Sequence, residues 1–278
     1  MGFDIRPASD YPLADLVSTL NLSFEHYLVP VQFNLNQLLT MIRKDGIDLS
    51  ASRMMLVDGA PSGIAFIARR GWTSRLAAMG VVSDARGKGA GTWLLEQMLR
   101  ESAERADRAM TLEVIEQNDT AVHVYRKAGF ESVRRLMGFQ LRDTTQHDRL
   151  PLQEVDLRDV GALILKHGLP DLPWQLSGET IAHMTPPTKA YCFEGAYAVI
   201  SNPETEHVVI WSVLVETSAR GRRLATTMLH ALMAQHRGKT WHVPAIYPEE
   251  MADVFARAGF EREELSQWQM TRLVDTSA

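Results

Sequence analysis

The chain has 278 residues, of which 45% are hydrophobic, and its formal net charge at pH 7 is −5. Its length allows one large domain or two small ones, and its negative charge argues against a general nucleic-acid-binding protein. No apolar run reaches the roughly 18 residues of a membrane span, and the N-terminal stretch lacks a secretory signal pattern. A single cysteine, Cys192, excludes an internal disulfide and a cysteine-rich metal site. We therefore expect a cytoplasmic protein that binds no metal, membrane or nucleic acid.

The first part of the chain combines helical and extended patterns. Apolar residues recur at helical spacing in residues 13–22 and 35–42. The apolar runs Arg53–Val57 and Gly63–Ala68 flank the segment "DGAPS", whose Asp, Gly and Pro supply turn geometry. This pair of runs predicts a β-hairpin.

The following residues alternate between strands and helices. Residues 76–82 ("LAAMGVV") form a third extended run, and residues 93–103 have helical spacing. Residues 111–115 ("TLEVI") predict another strand, and residues 121–127 a short helix that Gly129 ends as a left-handed cap. Because a hairpin and helices precede the strand–helix pattern, we expect mixed α/β layers rather than a regular βαβ repeat.

One pattern occurs twice in the chain. Arg86 aligns with Arg220, and the pair Gly129-Phe130 aligns with Gly259-Phe260. The two separations, 220 − 86 = 134 and 259 − 129 = 130 residues, are nearly equal. An internal repeat of this kind predicts two related halves.

The repeat also predicts the domain boundaries. The polar segment Arg142–Pro151 ("RDTTQHDRLP") reads as a linker. We therefore expect one domain over residues 1–145 and a second over residues 151–278, each within the usual domain size of about 100–150 residues.

A glycine-rich segment, "RGKGAG" at Arg86–Gly91, lies between a predicted strand and a predicted helix. A dinucleotide fingerprint would need glycine at Thr92, and a P-loop would need glycine at Val82. What remains is R-x-x-G-x-G, in which glycines let the backbone approach an anion at the start of a helix. Arg86 and Lys88 add positive charge. A helix start with glycines for tight packing is the alternative.

A second motif lies downstream of this loop. It has the form N-x-x-A-x-x-x-Y-x-x-x-G-F and consists of Asn118, Ala121, Tyr125, Gly129 and Phe130. The combination resembles the GNAT superfamily of acyl-CoA-dependent N-acyltransferases. The resemblance is specific over residues 76–130 and weaker over residues 207–260.

This resemblance implies two tandem GNAT-like domains, each a mixed, mostly antiparallel sheet flanked by helices. It implies an N-acetyltransferase that moves an acetyl group from acetyl-CoA directly to a primary amine of a small metabolite or peptide. It also implies that the strands "LAAMGVV" and "TLEVI" separate and leave a slot for pantetheine. A non-catalytic sensor that binds CoA or a metabolite is the alternative. The identity of the acceptor amine stays open.

The resemblance implies roles for specific residues. Tyr125 occupies the position of the general acid that protonates the departing thiolate, and a backbone amide near Val81 or Val82 holds the oxyanion. Asn118 either supports the strand end or caps the next helix. The predicted cofactor-binding residues are Val81, Val82, Arg86, Gly87, Lys88, Gly89, Ala90, Gly91 and Asn118.

The general base and the acceptor pocket are less well defined. Glu113 is the predicted base, and Glu116 at the strand end is the alternative. Each is also explained as an ordinary surface glutamate. By the same resemblance, the acceptor pocket draws on the first helices and their connection, and Arg75 would contact a substrate carboxylate. The predicted pocket residues are Phe24, Glu25, His26, Tyr27, Trp72 and Arg75.

The second half departs from the motif at three positions. Arg223 stands where the loop needs glycine, Phe255 takes the place of Tyr125, and Pro248 replaces Asn118. We therefore expect a degenerate copy with a structural role, which makes the chain an internal pseudo-dimer that is monomeric or homodimeric. Its basic segment "RGRR" leaves anion binding open.

Overall fold

The structure, a computed structural model, describes residues 2–142 and 148–274. The chain divides into two units. Unit 1 is made of three stretches, residues 1–114, 118–133 and 269–278. Unit 2 is made of two stretches, residues 115–117 and 134–268. The predicted boundaries at residues 145 and 151 stay a prediction, and unit 1 includes the last strand segment of the chain.

Helices and strands alternate in both halves. The α-helices of the described residues are α1 (Leu13–Ser23), α2 (Leu35–Asp45), α3 (Ala90–Glu104), α4 (Asp119–Lys127), α5 (Leu157–His167), α6 (Gly178–Ala182), α7 (Leu224–Gln235) and α8 (Ala252–Arg257). The strands are β1 (Phe3–Pro7), β2 (Arg53–Val57), β3 (Ala60–Arg70), β4 (Thr73–Val81), β5 (Ala109–Ile115), β6 (Glu131–Arg142), β7 (Gln153–Val155), β8 (Lys189–Phe193), β9 (Ala196–Ile200), β10 (His207–Val215), β11 (Thr240–Pro248) and β12 (Glu261–Leu273).

The sheet of unit 1 has the order β1-β2-β3-β4-β5, followed by the end of β12. The pairs from β1 to β4 are antiparallel, and β4 and β5 are parallel. The Val274 amide donates to the Arg108 carbonyl at 3.0 Å, which ties the end of the chain to the start of β5. The predicted mixed, mostly antiparallel architecture is confirmed.

The parallel pairing of β4 and β5 is short. It covers Thr73–Arg75 against Ala109–Thr111 and then stops, although both strands continue. A register shift against β3 places a bulge at Ala77, at the point where the pairing ends. Because a bulge bends a strand, the remaining parts of β4 and β5 separate. The predicted separation of these two strands is therefore confirmed, and its use as a slot for pantetheine stays a prediction.

Local sequence explains the elements that position the slot. Asn34 and Gln37 form a capping box at the start of α2, and Gly46 ends that helix in the left-handed conformation with φ of 71°. Strand β3 begins at Ala60, earlier than predicted, because Asp58 and Gly59 alone make the turn, both at positive φ.

Unit 2 repeats this plan. Its sheet order is the first part of β12, then β6-β11-β10-β9-β8-β7. Strands β10 and β11 are parallel over His207–Val209 and Thr240–His242, and the register of β10 then shifts at Trp211. Val213 and Leu214 belong to two different core clusters, so β10 faces protein on both sides.

Two properties of the described residues concern membranes and metals. No helix among residues 2–142 and 148–274 is long and apolar enough to cross a membrane. In the same ranges, no group of three or more His, Cys, Asp and Glu side chains is arranged to hold a metal ion. Half of the predicted linker, residues 143–147, lies outside the described residues.

Candidate active site

The glycine loop of unit 1 leaves the start of α3 without a side-chain cap. Gly89 is the N-cap residue with φ of 80°, and Gly87 also has positive φ, 72°. The first amide groups of a helix have no partner within the helix, and Gly89 has no side chain to accept from them. A Cβ at Gly87 or Gly89 would meet nothing within 4 Å, so the loop surface is open. The loop can therefore present amide groups to an anion.

Arg86 fastens this loop to the end of α1. Its Nε donates to the Val81 carbonyl at 2.9 Å, and its terminal nitrogen Nη2 donates to the carbonyls of Ser23 and Glu25 at 2.9 and 3.2 Å. Lys88 Nζ donates to the Asp84 carbonyl at 2.8 Å. Both cations add positive charge to the loop, and Arg86 also sets the position of the turn after α1 (residues 24–27).

Gly80 lets the turn after α1 lie directly on β4. A Cβ at Gly80 would come within 2.6 Å of the Ser23 Cβ and 3.4 Å of the Phe24 ring. Our sequence reasoning missed Gly80, although a glycine inside a strand pattern signals close backbone approach. Phe24 and Tyr27 pack edge to face with ring centroids 5.0 Å apart. The predicted segment Phe24–Tyr27 therefore lies beside the slot.

The backbone at the end of β4 distinguishes the two predicted oxyanion donors. The Val82 amide donates to the Ser62 carbonyl at 2.9 Å and is therefore already used, which corrects its assignment as a donor. In an antiparallel pair, successive amides point to opposite edges of a strand. The Val81 amide therefore points away from β3, toward the side where β5 has separated.

Tyr125 lies on α4 with 9% of its surface exposed, and its ring packs edge to face on Phe130 at 5.8 Å. Burial raises the pKa of the Tyr125 phenol well above its usual value, and the nearby Tyr27 raises it further. The phenol therefore keeps its proton at neutral pH, which a proton donor requires. The effect of Tyr27 also shows that the turn after α1 comes close to Tyr125.

Asn118 acts as the N-cap of α4. Its Oδ1 accepts from the Ala121 amide at 3.1 Å. Of the two predicted readings, the capping one is confirmed. The cap fixes the start of α4 and so the position of Tyr125.

Glu113 and Arg75 are not placed as predicted. Glu113 Oε2 accepts from Arg75 Nε at 2.7 Å, and their side chains are 4% and 6% exposed. Arg75 also lies 3.8 Å from an oxygen of Asp45 on α2. The Arg75 guanidinium is already paired with the carboxylates of Glu113 and Asp45. Neither Arg75 nor Glu113 therefore faces an open slot. We therefore leave Glu113 out of the proposed catalytic residues and Arg75 out of the proposed pocket.

Two further predicted residues have partners of their own. Trp72 precedes β4, whose other end at Val81 meets the glycine loop, and it is 60% exposed with Arg108 stacked 3.3 Å from its ring centre. Glu116 belongs to unit 2. Burial acts to raise the pKa of Glu116, but hydrogen bonds from Ser266 and Arg135 outweigh it and hold that pKa below its usual value. A lowered pKa makes Glu116 a weak base.

Glu25 and His26 lie on the exposed side of the turn after α1. The His26 Nε2 and a Glu25 carboxylate oxygen are 4.0 Å apart, and both side chains are more than half exposed. His26 has φ of 60°, an uncommon conformation for a residue with a side chain. Both side chains are accessible to a ligand from solvent.

Comparison with known proteins gives a match to one protein family. The model of the Acetyltransferase (GNAT) family matches residues 22–130. A search of curated protein sequences gives no significant match. Residues 22–130 are therefore similar to the GNAT acetyltransferase family, which confirms the predicted resemblance.

Similar solved structures extend the comparison to the whole chain. A GCN5-related N-acetyltransferase from Sphaerobacter thermophilus is 14% identical with a TM-score of 0.71, covering 98% of this chain and 96% of that one. A tandem GNAT protein from the clavulanic acid biosynthesis pathway is 15% identical with a TM-score of 0.68, covering 100% of both. A GCN5-related N-acetyltransferase from Anabaena variabilis is 18% identical with a TM-score of 0.65, covering 99% and 73%. The fold of this chain is that of a tandem GNAT protein.

Proposed function

We propose that the chain transfers an acetyl group from acetyl-CoA to a primary amine of a small metabolite or peptide. The observation that carries the proposal is the slot between β4 and β5, which begins after Arg75 and Thr111. The uncapped glycine loop lies beyond the end of β4, and the buried phenol of Tyr125 lies close to Tyr27 of the turn after α1. The loop suits a diphosphate, and the slot suits a narrow chain such as pantetheine.

Direct attack needs few protein groups. The amine nitrogen attacks the thioester carbon, and its oxygen becomes an oxyanion that the Val81 amide stabilises. The carbon–sulfur bond then breaks, and the thiolate takes the proton of Tyr125. Because an alkyl thiol has a pKa of about 8.5, a weak acid is sufficient for this step. The amine proton leaves to solvent, and the phenolate regains a proton.

The acceptor would approach over the turn after α1. Phe24 and Tyr27 form an aromatic wall there, and Glu25 offers a carboxylate to an ammonium group. These features favour an amine with an apolar body. His26 stays a proposed contact on the same turn.

A screen of amines with acetyl-CoA tests the proposal. We expect release of free CoA thiol only when a suitable amine is present, with the acetylated amine identified by mass spectrometry. If CoA binds but no amine in a broad panel is acetylated, the chain is a non-catalytic CoA-binding sensor instead.

A further inference from the structure

Unit 2 contains a cavity of about 520 Å³ at the position that corresponds to the slot of unit 1. It lies where β10 and β11 separate, and the loop before α7 lines it. That volume is within the usual range of small-molecule sites, about 300–1,000 Å³. Trp211 is half-buried and lines this cavity.

The loop of unit 2 keeps the backbone of the loop in unit 1. Gly221 and Arg223 have φ of 82° and 59°, beside 72° and 80° for Gly87 and Gly89. Arg220 repeats the anchor of Arg86, because it donates to the Val215 carbonyl at 3.3 Å and to the His167 carbonyl. The two loops differ in the side chain at the N-cap position.

That side chain places a cation on the cavity. Arg223 is exposed, lines the cavity and forms no salt bridge among the residues that the structure describes. Its neighbour Arg222 pairs instead with Glu194 at 3.0 Å. Because Arg223 occupies the place where Gly89 leaves an open surface, unit 2 has a guanidinium where unit 1 can take a diphosphate. A guanidinium binds a carboxylate through two parallel hydrogen bonds.

The other charges around the cavity are partly compensated. Arg257 lies 3.2 Å from Asp253, and Glu250 lies 3.8 Å from Arg134. Arg220 is held by backbone carbonyls and keeps its charge. With Arg223 added, the charges beside the cavity favour an anionic ligand group.

The walls of the cavity are largely apolar. Tyr247 belongs to the wall with 1% of its surface exposed, and its hydroxyl is closed off from the cavity. The apolar wall includes Ile164, Leu172, Leu176, Leu214, Val254 and Met251.

We propose that this cavity binds an acyl chain that carries a carboxylate. The apolar wall takes the chain, and the Arg223 guanidinium binds the carboxylate. The site is distinct from the proposed acetyl-transfer site, and its test does not depend on catalysis.

Calorimetry on the full chain with N-octanoylglycine tests this site. We expect one ligand per chain, and affinity at least about tenfold lower in Arg223→Gly, since a charge-assisted pair is lost. Glycine suits a positive φ, so this variant should melt no lower than the parent chain. The control Arg222→Gly removes the same charge from the same loop and should stay within about twofold.

Two further measurements test which ligand group is recognised and where the ligand binds. The neutral amide of N-octanoylglycine should bind at least about tenfold more weakly than the acid, and Gly89→Arg should leave the affinity unchanged. No binding at millimolar concentration, equal binding of acid and amide, or an unchanged affinity in Arg223→Gly would overturn the proposal. Displacement of N-octanoylglycine from this cavity by a second equivalent of CoA would also overturn it.

Discussion

Tyr125 is buried, and its raised pKa keeps the phenol protonated at neutral pH, which a proton donor requires. Replacing it with Phe keeps the ring packing on Phe130 and removes only the hydroxyl. We predict that Tyr125→Phe lowers kcat at least about tenfold, since general acid catalysis typically contributes 10²–10⁴-fold, with little change in the Kd of CoA. Steady-state kinetics and calorimetry measure the two quantities.

The same residue predicts a pH dependence. Because the pKa of Tyr125 is raised, the protonated form persists through neutral pH and is lost only above that pKa. In the parent chain, kcat should therefore show no loss from Tyr125 up to about pH 9. Tyr11→Phe, a change on a half-exposed tyrosine, is the matched control and should leave kcat unchanged. If Tyr125→Phe and the parent chain have equal kcat, Tyr125 has only a packing role.

Glu113 is predicted to stabilise the fold rather than to act in catalysis, because its carboxylate forms a buried ion pair with Arg75. Breaking a buried pair by neutralising one partner typically costs about 3–5 kcal/mol. We predict that Glu113→Gln lowers the free energy of unfolding by roughly 3 kcal/mol, while the folded protein keeps the pH profile of kcat. Urea unfolding and a pH–rate series test this. An unchanged stability together with a lost basic limb would return Glu113 to the role of general base.

Among the elements, the contact between α1 and β4 depends on Gly80. A Cβ there would press on Ser23, whose carbonyl also receives Arg86. We predict that Gly80→Ala lowers the free energy of unfolding by about 1–3 kcal/mol, the usual cost of overpacking. Gly91→Ala is the control, since its Cβ would meet only a Val81 methyl at 3.9 Å. Equal stability of both variants would show that the turn after α1 does not depend on this contact.

The elements with strong local patterns could be predicted from the sequence. The helices at residues 13–22 and 35–42 and the hairpin follow from apolar spacing and turn residues, and the structure confirms them. Strand β1 was missed because Phe3 and Ile5 are its only large apolar residues. The partner of β5 could not be predicted, because the period of a strand does not say which edge it joins.

The site residues also differ in whether the local sequence is sufficient to locate them. Glycines at positive φ in the loop, and the tyrosine in its motif, depend on local sequence and could be located. The Arg75–Glu113 pair joins residues 38 positions apart, and only the sheet register brings them together. The use of the Val82 amide by Ser62 likewise depends on strand pairing.

At the scale of the whole molecule, the composition of unit 1 predicts how a truncated chain behaves. Residues 269–274 belong to unit 1 and lie next to β5. A fragment of residues 1–145 lacks them and exposes a strand edge, which favours association. We predict that this fragment is poorly soluble or self-associated in sedimentation velocity, and that co-expression with residues 146–278 restores a soluble complex. A monomeric, fully active fragment would contradict this account.

We expect the chain to have one CoA site, at the glycine loop of unit 1. Titration calorimetry of CoA against the full chain, Gly89→Arg and Arg223→Gly measures the number and location of CoA sites. Because Arg223 already adopts the conformation of Gly89, Gly89→Arg should fold, and its side chain should cover the loop amides. We predict one CoA per parent chain, none in Gly89→Arg and at least one in Arg223→Gly. Two equal CoA sites in the parent chain, or full binding in Gly89→Arg, would contradict it.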